Sequence, residues 1–195
     1  MQERQRDNLS VYEPEAGRTE DFPAADRSKA SPVSRSAKLR LLLIVAGLVV
    51  IADQLTKLWI DANRPHMNLL PGFIDLVYVT NAGGAFGLLA SHTELLIALG
   101  IAGSIAILVF FCYFCPGNTL GVLAFALLLG GAVGNLADRI RLGYVIDFIS
   151  VRFVRWPPFN IADAAITVGI FALIYYFYSS GAFRKAYERG HRSGD

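Results

Sequence analysis

Charged side chains are scarce in this sequence. Asp, Glu, Lys and Arg make up 17% of its 195 residues, whereas an ordinary soluble domain contains about 25%. Hydrophobic side chains make up 54%, and the mean hydropathy is +0.44. This imbalance predicts a membrane protein. The net charge of +2 is too small to indicate a nucleic-acid-binding protein.

Cysteine is also scarce, and the two cysteines present exclude a disulfide framework. Cys112 and Cys115 have a C-x-x-C spacing, but they lie in an apolar run without a second pair or a nearby histidine. This context favours two small apolar side chains near a helix end over a redox or metal site. The sequence has no evident internal repeat either, which weakens the case for an inverted-repeat transporter.

Four apolar stretches are long enough to cross a bilayer, which takes about 20 helical residues. The predicted spans cover about 41–60, 93–115, 119–137 and 160–182, within a membrane domain at 38–183. Residues 1–37 are polar and aperiodic and are predicted to form a disordered tail, and residues 184–195 a basic C-terminal tail. The connections between spans contain alternating stretches at 74–80 and 144–153, which predict short strands.

Basic residues predict the orientation of the spans. Lys38 and Arg40 precede the first span, and Arg184 and Lys185 follow the last, so both termini are predicted to be cytoplasmic. The opposite side nevertheless carries several arginines, an exception that indicates pairing with acids or contact with lipid phosphates. These are Arg64, Arg139, Arg141, Arg152 and Arg155, and Lys57 is predicted on the same side.

Ionisable residues are costly within membrane spans and usually mark function. Asp53 and Lys57 are four residues apart, so they face the same side of the first helix. Asp138 and Arg139 end the third span. A purely structural interpretation pairs Asp53 with Lys57, and Asp138 with an arginine, for which Arg141 and Arg152 are also within possible reach.

Asp147 and Asp163 are not explained by such ion pairs. Two carboxylates within hydrogen-bond reach share one proton, so that one can activate water while the other polarises an amide carbonyl. This chemistry indicates hydrolysis, with proton-coupled transport and a non-enzymatic scaffold as open alternatives. Asn135 lies one turn before Asp138 and Asn160 three residues before Asp163, so each asparagine can bond the acid, the substrate backbone or a neighbouring helix.

Five segments together resemble the bacterial lipoprotein signal peptidases, or signal peptidase II, across residues 39–182. They are Asp53-Gln-Leu-Thr-Lys57, Asn81-Ala-Gly-Gly-Ala-Phe86, Gly130-Gly-Ala-Val-Gly-Asn-Leu-Ala-Asp-Arg139, Gly143-Tyr-Val-Ile-Asp-Phe148 and Phe159-Asn-Ile-Ala-Asp163. Each segment alone is weak, but all five occur in order among four spans. The presenilin type of intramembrane peptidase would need a Gly-x-Gly-Asp within a span, which this sequence lacks.

The resemblance implies an all-α membrane protein with four transmembrane helices and a small extracytoplasmic β element. It implies an aspartic endopeptidase of the bacterial cytoplasmic (inner) membrane, active near the extracytoplasmic face. Its substrates are prolipoproteins, cut on the N-terminal side of a diacylglyceryl-modified cysteine. Family members need no metal or cofactor and are inhibited by globomycin. Membrane lipids are the other expected partners, and we expect a monomer.

The family's catalytic pair maps onto Asp147 and Asp163. Asp138 is the alternative partner of Asp163, but the adjacent Arg139 favours a structural role for it. The resemblance also indicates ten supporting or substrate-binding residues: Asp53, Lys57, Asn81, Gly83, Ala85, Phe86, Asn135, Asp138, Arg139 and Asn160.

Overall fold

A computed structural model describes residues 34–83 and 92–180 of the chain. These residues form four helices and three strands. The helices are α1 (Arg35–Asn63), α2 (Thr93–Phe114), α3 (Thr119–Leu142) and α4 (Ile161–Ser179), and the strands are β1 (Met67–Leu70), β2 (Ile74–Asn81) and β3 (Val145–Val151). All four helices are long and apolar enough to cross a membrane. The predicted helical membrane fold with a small sheet is therefore confirmed.

The helix ends differ from the predicted span ends. Ser34 caps α1 by accepting a hydrogen bond from the backbone N–H of Ala37 at 3.2 Å, so residues 35–37 are helical and not part of a tail. The remainder of the predicted tail (1–33) and the basic segment 184–195 lie outside the described residues. Asn118 caps α3 through the Gly121 N–H, at the end of the short connection between α2 and α3.

Helix α3 lies at the centre of the bundle and contacts the other three helices. Small residues on its buried face allow this close packing. A Cβ atom at Gly131 would collide with the backbone carbonyl of Ala162 in α4, and one at Gly130 would lie 2.8 Å from the carbonyl of Ala46 in α1. The three helices can therefore approach each other without intervening side chains.

The three strands form one antiparallel sheet in the order β1-β2-β3. Asn81, at the end of β2, pairs with Val145, and Val79 pairs with Asp147. This confirms the strands predicted from alternation. Arg152 forms an ion pair with Asp75 and donates to Asn68 Oδ1 at 2.7 Å. The expectation that Arg152 could reach Asp138 is therefore wrong, because its guanidinium is engaged within the sheet.

Two contacts fix the sheet to the ends of the helices. Ile146 and Phe148 of β3 pack with Ile60 of α1 in a buried apolar cluster. The backbone N–H of Ile146 also donates to Asp138 Oδ2 at 3.2 Å. Strand β3 therefore lies against the C-terminal half of α3, beside the start of α4, and this position brings Asp147 to the helix bundle.

Candidate active site

Asp163 is fixed by the first turn of α4. Asn160 is the N-cap: its Oδ1 accepts from the Asp163 N–H at 2.9 Å, while Asp163 Oδ2 accepts from the Asn160 N–H at 3.3 Å. This reciprocal capping satisfies backbone donors that a helix start leaves unpaired. The other carboxylate oxygen, Oδ1, accepts from Asn135 Nδ2 at 2.7 Å.

Asp147 lies in β3 and is almost completely buried, with 2% of its surface exposed. Its Oδ1 accepts from Asn160 Nδ2 at 2.7 Å and its Oδ2 from Asn81 Nδ2 at 3.0 Å. Burial raises the pKa of the Asp147 carboxyl to about 6, and the charge of Asp163 acts in the same direction. The hydrogen bonds from Asn81 and Asn160 and the charge of Lys57 oppose this rise.

Three asparagine amides present their NH2 groups to these two carboxylates. In each amide, the carbonyl oxygen is fixed by a donor. Asn81 Oδ1 accepts from the Gly83 N–H at 3.1 Å, and Asn160 Oδ1 from the Asp163 N–H. Asn135 Oδ1 accepts from Lys57 Nζ at 3.0 Å and from Asn160 Nδ2 at 3.1 Å. The amides are therefore oriented before any substrate is present.

A fully buried ion-pair cluster lies behind this layer. Lys57 Nζ is 2.8 Å from Asp53 Oδ2 and 3.0 Å from Asp138 Oδ2, and all three side chains have no exposed surface. Arg141 lies 3.6 Å from Asp138 Oδ1. The predicted pairs of Asp53 with Lys57 and of Asp138 with an arginine are thus confirmed, but Lys57 joins both acids.

Asp53 also connects α1 to α4, because its Oδ1 accepts from the Ala162 N–H at 3.0 Å. Gln54 donates to Asp138 Oδ1 at 3.0 Å, a contact that the sequence interpretation did not include. The only sequence feature that could have indicated this role of Gln54 is its position next to Asp53. Among the described residues, neither Asp147 nor Asp163 forms an ion pair with lysine or arginine.

Both aspartates line a cavity of about 550 Å³. Asn81, Asn135 and Arg139 contribute its other polar surfaces, and Arg139 Nη1 donates to the Asn135 carbonyl at 3.4 Å. The remaining wall is mainly apolar: Val145, Trp156, Pro157, Pro158, Phe159, Ala164, Ile166, Thr167 and Val168. An amide group entering this cavity would meet two carboxylates beside an apolar surface.

The structure brings most of the predicted site residues together around this cavity. Asn81, Asn135, Asn160 and Arg139 surround the two aspartates, and the ion-pair cluster supports them. Ala85 and Phe86 lie outside the described residues. Within the described part of the chain, no group of three or more His, Cys, Asp or Glu side chains is placed to hold a metal ion.

Comparison with known proteins identifies the family. Residues 45–179 match the model of a family described as signal peptidase (SPase) II. This match covers the sheet and both aspartates, together with most of the four-helix bundle. The chain belongs to the signal peptidase II family.

Curated signal peptidase II relatives are similar over nearly their full length. The lipoprotein signal peptidase of Syntrophotalea carbinolica is 45% identical over 147 residues, covering 71% of this chain and 91% of the relative. That of Moorella thermoacetica is 45% identical over 134 residues, covering 67% and 88%.

Solved structures share the fold of this signal peptidase II chain. A bacterial membrane enzyme solved by the in meso method at 2.3 Å resolution has a TM-score of 0.67 and 31% identity, covering 72% of this chain and 89% of that one. A second, at 1.9 Å resolution, has a TM-score of 0.65 and 32% identity, covering 70% and 92%. The chain is therefore a multi-pass membrane peptidase.

Proposed function

We propose that this peptidase removes the signal peptide from prolipoproteins by cutting on the N-terminal side of a diacylglyceryl-modified cysteine. The lipoprotein signal peptidases to which it is similar support the substrate class. The observation that carries the proposed reaction is the pair of carboxylates, Asp147 and Asp163, which line one cavity and form no ion pair with lysine or arginine among the described residues. We propose that they form an aspartic-peptidase dyad.

The proposed reaction needs one proton shared by the dyad. We assign this proton to Asp147, because burial raises the pKa of its carboxyl. Asp163 accepts a proton from the attacking water as the water oxygen bonds to the scissile carbonyl carbon, while protonated Asp147 donates a hydrogen bond to the carbonyl oxygen. When the tetrahedral intermediate collapses, the proton on Asp163 passes to the leaving amine and the C–N bond breaks.

The position of Asp138 supports its exclusion from the dyad. Its carboxylate is fully buried, faces Lys57 and Arg141, and accepts from the Ile146 N–H. It does not line the cavity. A carboxylate held by two cations is suited to structural stabilisation, because its negative charge is already compensated. The acids also cluster at one end of the bundle, whereas a proton-relay transporter would distribute them through the membrane.

The first test is cleavage of a synthetic lipoprotein precursor by the purified protein in detergent. The diacylglyceryl-modified precursor is expected to be cut and globomycin to stop the reaction. The unmodified precursor is expected to have a kcat/KM at least about tenfold lower, because a lipid anchor positions the peptide at the cavity. Equal cleavage of the two precursors would contradict this account of recognition.

A second prediction concerns pH. The hydrogen bond from Asn81 lowers the pKa of Asp147, so Asn81→Ala should raise it. Because the active dyad keeps one proton, kcat/KM of the free enzyme should fall as pH rises through about 6. Asn81→Ala should move this fall to higher pH. The measurement is a pH–rate profile, with Asn63→Ala as the control, since among the described residues the Asn63 amide donates to the Trp59 carbonyl and does not contact the dyad. A shift to lower pH would contradict the assignment.

A third prediction concerns topology in the bacterial inner membrane. We propose that both termini are cytoplasmic and that the sheet and cavity lie at the extracytoplasmic face. Single cysteines at Asn68 and Arg155, in a variant without Cys112 and Cys115, should react with an impermeant thiol reagent in intact cells. A cysteine at Ser193 should be protected. The reverse labelling pattern would overturn this orientation.

A further inference from the structure

We propose that Lys57 is a positioning residue for catalysis, which acts on Asp163 through the amide of Asn135. The ammonium holds the Asn135 carbonyl oxygen, so that the NH2 group of the same amide must face Asp163. This inference rests on the proposed catalytic role of Asp163. It assigns to the buried lysine a function beyond its pairing with acids.

The three protons of Lys57 account for three contacts. Its Nζ lies 2.8 Å from Asp53 Oδ2, 3.0 Å from Asp138 Oδ2 and 3.0 Å from Asn135 Oδ1. An ammonium has three donors and no acceptor. Because the lysine has no exposed surface, bulk solvent does not offer an alternative partner. The two acids fix the position of the ammonium, and its third proton is directed to Asn135.

This third contact determines the orientation of the Asn135 amide. A flipped amide would place an NH2 group against the Lys57 ammonium and against the Asn160 NH2 group, which also donates to Asn135 Oδ1. It would also place a carbonyl oxygen against Asp163 Oδ1, which now accepts from Asn135 Nδ2 at 2.7 Å. Each donor–acceptor pair would become a repulsive pair of like partial charges.

The contact matters for the chemistry because Asp163 must present its carboxylate to water in one fixed position. One oxygen of Asp163 accepts the backbone N–H of Asn160, and the other accepts the Asn135 amide. Loss of the second bond frees the carboxylate to rotate about its side-chain bonds. Displacement of a catalytic group by about 1 Å can reduce the rate about 100-fold. The loss should appear in kcat, with little change in KM.

Lys57 also stabilises the fold, and the experiment must separate this role from positioning. A double-mutant cycle with Lys57→Met and Asn135→Ala does so, with kcat, KM and Tm measured for all four proteins on the lipid-modified precursor. Each single substitution is expected to lower kcat about 100-fold. The double variant should be hardly slower than Asn135→Ala, because Lys57 acts through that amide. The drop in Tm caused by Lys57→Met should persist in the Asn135→Ala background.

A purely structural lysine would give the opposite pattern. The two losses in kcat would then multiply, to about 10⁴-fold, and this result would overturn the proposal, as would an unchanged kcat in Lys57→Met. If Lys57→Met alone does not fold, Asp138→Asn is added to all four proteins of the cycle. Replacing Lys57 then leaves one charged acid of the cluster, Asp53, without its cation, instead of two. An active Asp163→Asn variant would reject the proposed dyad. If Asp163→Asn is inactive but the kcat losses of Lys57→Met and Asn135→Ala multiply, only the positioning role of Lys57 is rejected.

Discussion

Asp147→Asn and Asp163→Asn are each expected to reduce cleavage of the lipid-modified precursor by a factor on the order of 10⁴ or more. The substitution keeps the shape of the side chain but removes the group that exchanges a proton with water or the scissile amide. Because the two carboxylates act as a unit, the double variant should be hardly slower than either single one. The measurement is kcat on the precursor in detergent, with Tm recorded for each variant.

Asp138→Asn is the matched control for these substitutions, because it changes the same carboxyl group to the same amide outside the cavity. It weakens a buried contact with Lys57, so Tm should fall together with activity. Removal of one partner from a buried ion pair typically costs about 3–5 kcal/mol. A stable but inactive Asp138→Asn beside an active Asp147→Asn would transfer the catalytic assignment to Asp138 and Asp163.

Gly131→Ala is expected to cause the largest loss of stability of any single methyl addition on α3. The new Cβ would collide with the Ala162 carbonyl and lie 2.7 Å from Ile166 Cγ1. Both belong to α4, and a backbone carbonyl cannot move without displacing the helix. Overpacking of this kind typically costs about 1–3 kcal/mol. The free energy of unfolding in detergent should fall by an amount at the upper end of this range.

Gly103→Ala provides the matched control within α2. A Cβ atom at Gly103 has no atom within 4 Å among the described residues, and alanine favours a helix over glycine by about 1 kcal/mol. Stability should therefore be unchanged or slightly higher. Activity should also fall in Gly131→Ala, since Asp163 lies next to Ala162 at the start of α4. Equal stability of the two variants would show that α3 and α4 are not packed in this way.

Hydropathy and alternation predicted the four spans and two of the strands, because these elements depend on local sequence period. The contacts between side chains in the site could not be predicted from the spacing of apolar residues along the sequence. Asp53 and Lys57 were predicted to pair because they are one helical turn apart. That Lys57 also reaches Asp138, 81 residues further along the chain, depends on how α1 packs against α3. The glycines of α3 permit that packing, but spacing alone does not give the distance.

The asparagines show the same limit. The span predicted at 160–182 begins close to the observed N-cap, Asn160, and the Asn-x-x-Asp spacing at 160–163 fits a capping box there. The contact of the Asn160 NH2 group with Asp147 depends on the position of β3. That position is set by pairing between strands that are distant in sequence. Asn81 likewise reaches Asp147 only because β2 and β3 are adjacent.

The N-cap of α4 links the integrity of one helical turn to catalysis. Asn160 ends the helix with its oxygen and holds Asp147 with its nitrogen, while the residue three positions later is Asp163 itself. Fraying of this turn would remove the hydrogen bonds that Asn160 makes to both carboxylates, without unfolding the rest of the bundle. Activity should therefore be lost on heating before the helices separate, and a ligand that occupies the cavity should slow hydrogen exchange first at the backbone amides of Ala162 and Asp163.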